Sequence, residues 1–558
     1  MHPSCTSTGG SRAPARASSP VAMSPDASPP ALSSLLLILA LAACGGDEPT
    51  QSGGAPGAQP PPPRAAVAGS SHPGKWEGPY AWPLIPIHLH LLPNARVLAW
   101  SGEANMDGSN HSQRAVYWDP APWPVPGGAG TFTSAPAPGV DIFCSGHAYY
   151  EDGRLLVAGG HDGSGIGLPN VNVFNFAGGG TWTRTPRMAK GRWYPTVTAL
   201  PNGEMLVTAG TDSVEANVTI PEVVRRDGTL RRLTSAPRPL PYYPWMFVAS
   251  NGRVFYAGAG RDSRYLNTSS TGSWSSLIST IKHPASRTYG SAVMYDAGKV
   301  LIIGGGDPPT ATAEVINLSA SSPQWSYTGT MAFARRQQNA TILPDGKVLV
   351  TGGTSGPGFN NKSTPVYAAE MWDPATGVWT RLASMSVYRL YHSTALLLPD
   401  GRVLVAGGGR QKGVGTQWDR LDAEIYSPPY LFNDDGTLAT RPTITAAPAS
   451  VGYATTFDVE TPDAASIAKV TWLRLGSVTH AFDENQRFGF TRFTLPPADT
   501  TIVVDPVTGV PDTVVTPPQR LRVNTPMNPN NAPPGHYMLF ILNARGVPSV
   551  AKIVRLVR

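Results

Sequence analysis

The 558-residue chain has little charge, little sulfur and no long apolar run. Only 14% of its residues are charged, and its 43 basic side chains exceed its 37 acidic ones by a formal +6. That excess is scattered, with nothing denser than pairs such as Arg225-Arg226 and Arg231-Arg232, so no basic stripe of the kind nucleic acid requires is present and no nucleic-acid partner is expected. Three cysteines, at 5, 44 and 144, exclude a disulfide-stapled scaffold. The longest apolar run, within "SSLLLILALAAC", is about a dozen residues, too short for a membrane-spanning helix. No Ser-His-Asp or paired-carboxylate arrangement stands out, which argues against hydrolysis.

Glycine (59) and proline (57) are abundant, the composition of turn-rich β structure. The short apolar run has the length of a signal-peptide core. Its end, Leu41-Ala42-Ala43-Cys44 and then Gly45-Gly46, resembles a bacterial lipoprotein cleavage box. Residues 1–43 would be removed and Cys44 lipidated, with ordinary cleavage after small residues as the alternative. The segment before the run carries only Arg12 and Arg16, and Met23 is a second candidate start. Either route exports the protein, to the cell surface or facing the periplasm, touching the membrane only through the lipid. Residues 44–72 are Gly, Pro, Ser and Ala with few bulky apolar side chains, a flexible tether.

One pattern recurs seven times: an apolar stretch, a turn, an apolar strand, then small residues. The copies are "LLPNARVLAWSG", "AYYEDGRLLVAGG", "TALPNGEMLVTAG", "FVASNGRVFYAG", "VMYDAGKVLIIGG", "TILPDGKVLVTGG" and "LLLPDGRVLVAGG". Their turns begin at Asn94, Asp152, Asn202, Asn251, Asp296, Asp345 and Asp400, 45 to 58 residues apart, room for a four-stranded blade each time. Five turns are Asn-Gly or Asp-Gly, which accept the positive φ of a tight hairpin. Tryptophans recur between copies as outer-strand signals. Residues 73–430 are therefore expected to form a seven-bladed kelch-type β-propeller. From 431 to 558 the repeat stops and short strands broken by Pro and Gly predict an immunoglobulin-like β-sandwich, making the whole chain all-β.

The turn also serves as a ruler. Eight residues before Asp152, Asn202 and Asp400 stand Cys144, Tyr194 and His392, with Tyr391 one earlier. Equal register in a propeller means equal height on the innermost strand, so these side chains should ring the axis at one face. The other copies place Tyr243, Thr288 and Gln337 at this register and Tyr242, Arg287 and Arg336 one step before. Arg287, Arg336, Gln337 and Tyr243 are candidates for a substrate-binding rim. Tyr391 and His392 point to opposite faces of a regular strand and can share a metal only if the backbone turns there. Two phenols, an imidazole and a thiol suggest a mixed N,O metal site, and tetragonal N,O coordination suits Cu(II). His480, at a likely hairpin in the second domain, would add a second imidazole. His88, His90, His147, His161 and His536 are expected to be structural or surface residues.

The stretches "DIFCSGHAYYEDG", "GRWYPTVTALPNG", "YRLYHSTALLLPDGRVLVAGGG", "VTHAFDENQR" and "GHYMLFILNARGVPSVAKIV" together resemble the radical copper oxidases, the family of galactose oxidase and glyoxal oxidase. The resemblance covers essentially everything after the tether. It implies one copper ion held by Tyr194, His392 and His480 with Tyr391 axial, and a thioether from Cys144 to the Tyr194 ring that tunes a tyrosyl radical. It further implies a small primary alcohol, aldehyde or carbohydrate oxidised with O2, which leaves as H2O2, and Tyr391 as general base. A lone exported thiol would then be consumed rather than left open to oxidation. Galactose oxidase stacks a tryptophan from the following hairpin over its modified tyrosine, where this chain has Thr211-Asp212-Ser213. Trp193 and Trp245 are the candidates to replace it, and a glyoxal-oxidase-like or broader substrate range is favoured over galactose. The alternative function is a non-enzymatic surface propeller that binds glycan or protein.

Overall fold

A computed structural model describes residues 70–102, 114–121, 129–410, 416–504, 506–508, 511–516 and 518–558. The expected signal peptide, Cys44 and nearly all of the tether lie outside the described residues.

Each sequence copy folds as an antiparallel hairpin, because its Gly or Asn accepts the turn while the flanking apolar residues bury against both neighbours. Third and fourth strands complete each blade. Blade 1 is His88–Leu91, Val97–Trp100, Ala115–Asp119 and Thr131–Ala135. Blades 2 to 6 begin with innermost strands Gly146–Tyr149, Thr196–Ala199, Trp245–Val248, Ser291–Asp296 and Arg336–Ile342. Blade 7 comprises Ser393–Leu397, Val403–Gly407 and Asp422–Ser427, and its outer strand is Lys75–Ala81 from the other end of the propeller sequence, paired antiparallel to Asp422–Ser427. That exchange closes the ring by backbone hydrogen bonds.

The small residues after each second strand have a steric reason. Gly159 has φ 85° and Gly305 φ 77°, and a Cβ there would stand 2.3 Å from the Arg192 carbonyl and 2.5 Å from the Arg287 carbonyl respectively. Only glycine allows that approach.

A second repeating device was not expected from the sequence. Arg192, Arg287, Arg335 and Arg389 are fully buried and pair with Glu222, Glu314, Glu370 and Glu424 of the third strands at 3.0, 2.7, 2.5 and 3.5 Å. Each arginine also donates to the carbonyl closing its second strand: Ala209, Gly304, Gly352 and Gly407. Arg287 therefore does not belong to a substrate rim. Its guanidinium donates to Glu314, to the Gly304 and Thr312 carbonyls and to the Thr312 hydroxyl, which uses all its donors inside blade 5.

The C-terminal region holds a five-stranded sheet (Ser450–Gly452, Lys552–Val557, Gly535–Asn543, Ile467–Arg474, Phe488–Thr491) facing a three-stranded one (Thr456–Glu460, Arg520–Asn524, Phe493–Thr494) around its own apolar core, which includes Trp472, Leu521 and Leu539. A hairpin of Ser477–Thr479 and Phe482–Asp483 leaves this region and adds to the inner edge of blade 1, with Ser477–Thr479 pairing to His88–His90. This insertion carries the turn residue His480 to the propeller axis.

Removing one partner of a buried ion pair strands a charge in a dry interior. Arg335→Ala, which leaves Glu370 1% exposed and unpaired, should cost about 3–5 kcal/mol. Denaturant titration of the variant against wild type measures it, and a loss below about 1 kcal/mol would assign these pairs no structural role.

Candidate functional site

The backbone does turn where the site requires it. Cys144, Tyr194, Tyr243, Tyr289, Gln337 and His392 all have left-handed φ, between 44° and 68°. Each stands at or just before the start of an innermost strand, nine residues before the left-handed hairpin glycine (Gly153, Gly203, Gly252, Gly298, Gly346, Gly401). Measured from the glycine rather than from the Asx residue, blade 5 contributes Tyr289, not Thr288, because Asp296-Ala297-Gly298 has one extra residue in its turn. Left-handed backbone is costly for residues with a Cβ. Here it is held by a collar of hydrogen bonds: the amide of Tyr194 donates to the Cys144 carbonyl (2.9 Å), that of Tyr243 to Tyr194 (3.1 Å) and that of Gln337 to Tyr289 (2.6 Å).

These turns aim side chains at one point. The Tyr194 hydroxyl meets the Tyr391 hydroxyl directly, His480 Nε2 lies 2.9 Å from it and His392 Nε2 3.5 Å. The His392 Nδ1 lies 2.8 Å from the Gly409 carbonyl, which can only accept, so Nδ1 carries the proton and Nε2 presents its lone pair to the tyrosines. His480 Nδ1 is held at 2.6 Å by the Thr479 hydroxyl. The Tyr391 and His392 rings stack 3.7 Å apart, side by side rather than on opposite faces. Cys144 is fully buried in the apolar cluster that also contains Tyr194 and Tyr243.

Trp193 lies parallel to Tyr194, ring centroids 3.7 Å apart and planes 6° from parallel, and its Nε1 donates to His161 Nδ1 at 3.0 Å. Trp245 instead lines the floor of a side lobe. Of the expected rim, Tyr243 is at the site, its ring 4.7 Å from Tyr194, with its hydroxyl donating to the Ser145 carbonyl. Arg336 and Gln337 lie beneath the cavity: Arg336 donates to the Gly358 carbonyl and pairs with Asp307, and the Gln337 amide donates to the Phe359 carbonyl. They brace the loop that brings Phe359 within 4.8 Å of the Tyr391 ring. The cavity has two lobes of about 560 and 420 Å³ that share Tyr194 and Tyr289. Phe143, Phe359 and Arg410 line the larger and Leu240 and Tyr242 the smaller. The hairpin ruler could have found Tyr289 had it been anchored on glycine. Phe359 and Arg410 lie in loops that no repeat marks.

The site is uncharged as built. Burial first, then Cys144 and the neighbouring phenols, pushes Tyr194 well above the ordinary tyrosine range, and Tyr391 is raised by burial, Cys144 and Tyr289. Burial lowers His392 to about 3 and holds His480 well below the ordinary imidazole range. Two protonated phenols and two neutral imidazoles thus face one another without a counter-charge. A bound cation would invert this balance and favour the phenolates. Among the described residues no group of three or more His, Cys, Asp or Glu forms a metal cluster, so this phenol and imidazole set is the donor set to consider.

The His480 hairpin contains a buried carboxyl, Asp483, pushed up from 3.8 to about 6 by burial, against which the amides of Ser477, Asn485 and Gln486 act on Oδ1. A carboxyl raised in the folded state stabilises below its unfolded value, and that stability is lost as pH rises through the folded value. On the order of 3 kcal/mol should therefore disappear between about pH 4 and pH 7. Asp483→Asn removes the ionisation, so urea titrations should find it gaining on wild type across that window; a pH-independent difference would refute the assignment.

Two family models match the chain: "Glyoxal oxidase N-terminus" over residues 307–430 and "Galactose oxidase-like, Early set domain" over 441–556. A galactose oxidase of Gibberella zeae is 29% identical over 519 residues, spanning 86% of this chain and 70% of that protein. The aldehyde oxidase GLOX of Vitis pseudoreticulata is 28% identical, spanning 75% of this chain and 82% of that protein. Among solved structures, a fungal alcohol oxidase of the AA5 family in complex with copper superposes with a TM-score of 0.73 at 26% identity, over 87% of this chain and all of that one. Fold, domain matches and relatives agree that the chain is similar to galactose oxidase and glyoxal oxidase, which are oxidoreductases.

Proposed function

We propose that this protein is a copper-radical oxidase of primary alcohols or aldehydes. The observation that carries the proposal is the convergence of the Tyr391 hydroxyl and two imidazole Nε2 atoms on the Tyr194 hydroxyl, with a buried cysteine in the same cluster. The donor set fits Cu(II), which favours mixed N and O ligands in tetragonal arrays. Tyr194, Tyr391, His392 and His480 would hold it. The Nδ1 bonds of His392 to Gly409 and of His480 to Thr479 fix the rings as outer-shell partners do in metal sites.

Copper, when bound, supplies a one-electron acceptor and an electrophile for the substrate oxygen. The protein supplies the rest. Tyr391 takes the proton of the substrate hydroxyl as general base. Tyr194, oxidised to a phenoxyl and bearing the Cys144 sulfur, removes a hydrogen atom from the adjacent carbon. Trp193, stacked on that ring, shields it from water and spreads its spin. An alcohol RCH2OH and O2 become RCHO and H2O2; a hydrated aldehyde RCH(OH)2 and O2 become RCOOH and H2O2. The thioether forms with the same balance: the Cys144 S–H and one Tyr194 ring C–H are replaced by an S–C bond, and two electrons and two protons pass to O2. The proposal includes export on a lipid-bearing Cys44. As a passive binding propeller, the protein would have no use for four donor atoms gathered in a dry interior.

Peptide mass analysis after copper loading in air should find the Cys144 and Tyr194 peptides joined and two hydrogens lighter than their sum, and Cys144→Ser should abolish the joined species. Tyr391→Phe should keep the cross-link while lowering peroxide release on an alcohol and aldehyde panel by about 10²–10⁴-fold. Unmodified, separate wild-type peptides would refute the oxidase.

A further inference from the structure

The mechanism above leaves unused a fully buried set of imidazoles beneath Cys144. His88, His90 and His147 are each 0% exposed, as is Ser477 from the C-terminal hairpin. The Cys144 amide donates to His88 Nε2 at 3.3 Å, His88 Nδ1 lies 3.1 Å from His147 Nε2, and His147 Nδ1 lies 2.7 Å from the Ser477 hydroxyl. The same hydroxyl lies 2.8 Å from His90 Nδ1. His88 and His90 stack on one face each of the buried Trp100, at 5.1 and 4.1 Å.

The direction of this chain is fixed at one end. A backbone amide can only donate, so His88 Nε2 accepts and a neutral His88 carries its proton on Nδ1. That proton points at His147 Nε2, which must accept, leaving the His147 proton on Nδ1 facing Ser477. The collar explains why an imidazole is needed here. At Tyr194, Tyr243 and Gln337 the collar amide reaches back to the collar carbonyl of the preceding blade, as Tyr194 does to Cys144. In blade 1 the equivalent residue, nine before the left-handed Ala95, is Pro86, and its carbonyl already accepts the Thr394 hydroxyl at 2.9 Å. The first amide of the collar donates to His88 Nε2 instead of to that carbonyl, and it belongs to the cysteine.

We propose that His88 is a positioning residue for thioether formation: its Nε2, held proton-free by the chain through His147 to Ser477, anchors the left-handed Cys144 backbone so that Sγ is presented to the Tyr194 ring. The role rests on the oxidase reading above. Burial, foremost, lowers both His88 and His147, the latter to about 3, which keeps the chain neutral at working pH. Ser477 comes from the insertion that also carries His480, so docking of the hairpin completes the copper site and the cysteine anchor together.

His88→Phe keeps a ring against Trp100 but cannot accept a hydrogen bond, whereas His88→Gln keeps an acceptor. In copper and air, His88→Phe should form the cross-linked peptide about tenfold more slowly than wild type, the scale of one lost buried hydrogen bond, and His88→Gln should recover most of that rate. Copper affinity, read by competition with a chelator, should stay within about twofold for both, because no proposed ligand is replaced. Cross-linking by His88→Phe at the wild-type rate, or an equal loss of copper binding, overturns the role. Should His88→Phe fail to fold, Ser477→Ala decides: slowed cross-linking at unchanged copper affinity supports the chain and a wild-type rate refutes it. Nitrogen-15 histidine NMR of the metal-free wild type gives a readout without copper, and a proton on His88 Nε2 overturns the role even where the oxidase stands. A wild type that never cross-links overturns the oxidase reading itself.

Discussion

A left-handed residue at or just ahead of the start of the innermost strand in blades 2 to 7 is the constraint on which this site is built. A regular strand sends consecutive side chains to opposite faces, so a phenol and an imidazole adjacent in sequence could not serve one centre. The positive φ of His392 breaks that alternation and lays its ring against Tyr391. Repeated at Cys144 and Tyr194, the same turn raises residues from separate blades to one height. The propeller supplies this geometry in blades 2 to 7 and uses it for the proposed donor and thiol residues in only three: blades 2, 3 and 7. Tyr243, Tyr289 and Gln337 occupy equivalent turns and became wall and brace instead.

The turns would not persist without their backbone bonds. Left-handed backbone at a residue with a Cβ costs on the order of 1–3 kcal/mol, so six such positions must be held by their surroundings. The collar does this from inside and the buried Arg–Glu pairs from below, each arginine lying just before a collar residue and tying its segment to the second and third strands. Rigidity follows, and the proposed radical centre needs it: ring stacking at 3.7 Å between Trp193 and Tyr194 tolerates little motion of either backbone.

Much of this was legible in the sequence because it is periodic. The hairpin turns repeat with a Gly or Asn signature, so the seven blades, the register of Cys144, Tyr194 and His392, and the separate C-terminal β region could be read by counting. The same ruler slipped by one at Thr288, because an extra residue in the turn moved the glycine that fixes the conformation, not the aspartate that precedes it. Arg287 was misread for a different reason: an arginine beside a collar position looks like a rim cation, and its partner Glu314 lies on another strand with no local pattern linking the two. Phe359 and Arg410 sit in loops, where length and conformation follow from tertiary contacts alone. His480 was placed through resemblance; its hairpin pairs with blade 1 across nearly 400 residues of sequence, and such a contact leaves no periodic trace.

The uncharged state of the site then has a consequence for assembly order. Phenols with raised proton affinity and imidazoles with lowered affinity can be buried together without paying for desolvated charge, so the propeller and the inserted hairpin can close before any metal arrives. A cation entering afterwards finds two lone-pair nitrogens already oriented and must displace only phenolic protons, which its own charge makes acidic. Had the four ligands included carboxylates, the closed site would have held unbalanced negative charge in a dry cavity and resisted docking of the hairpin. The tyrosine-rich donor set thus suits folding as well as the proposed redox chemistry: neutral while the blades and hairpin assemble, anionic once a cation is present.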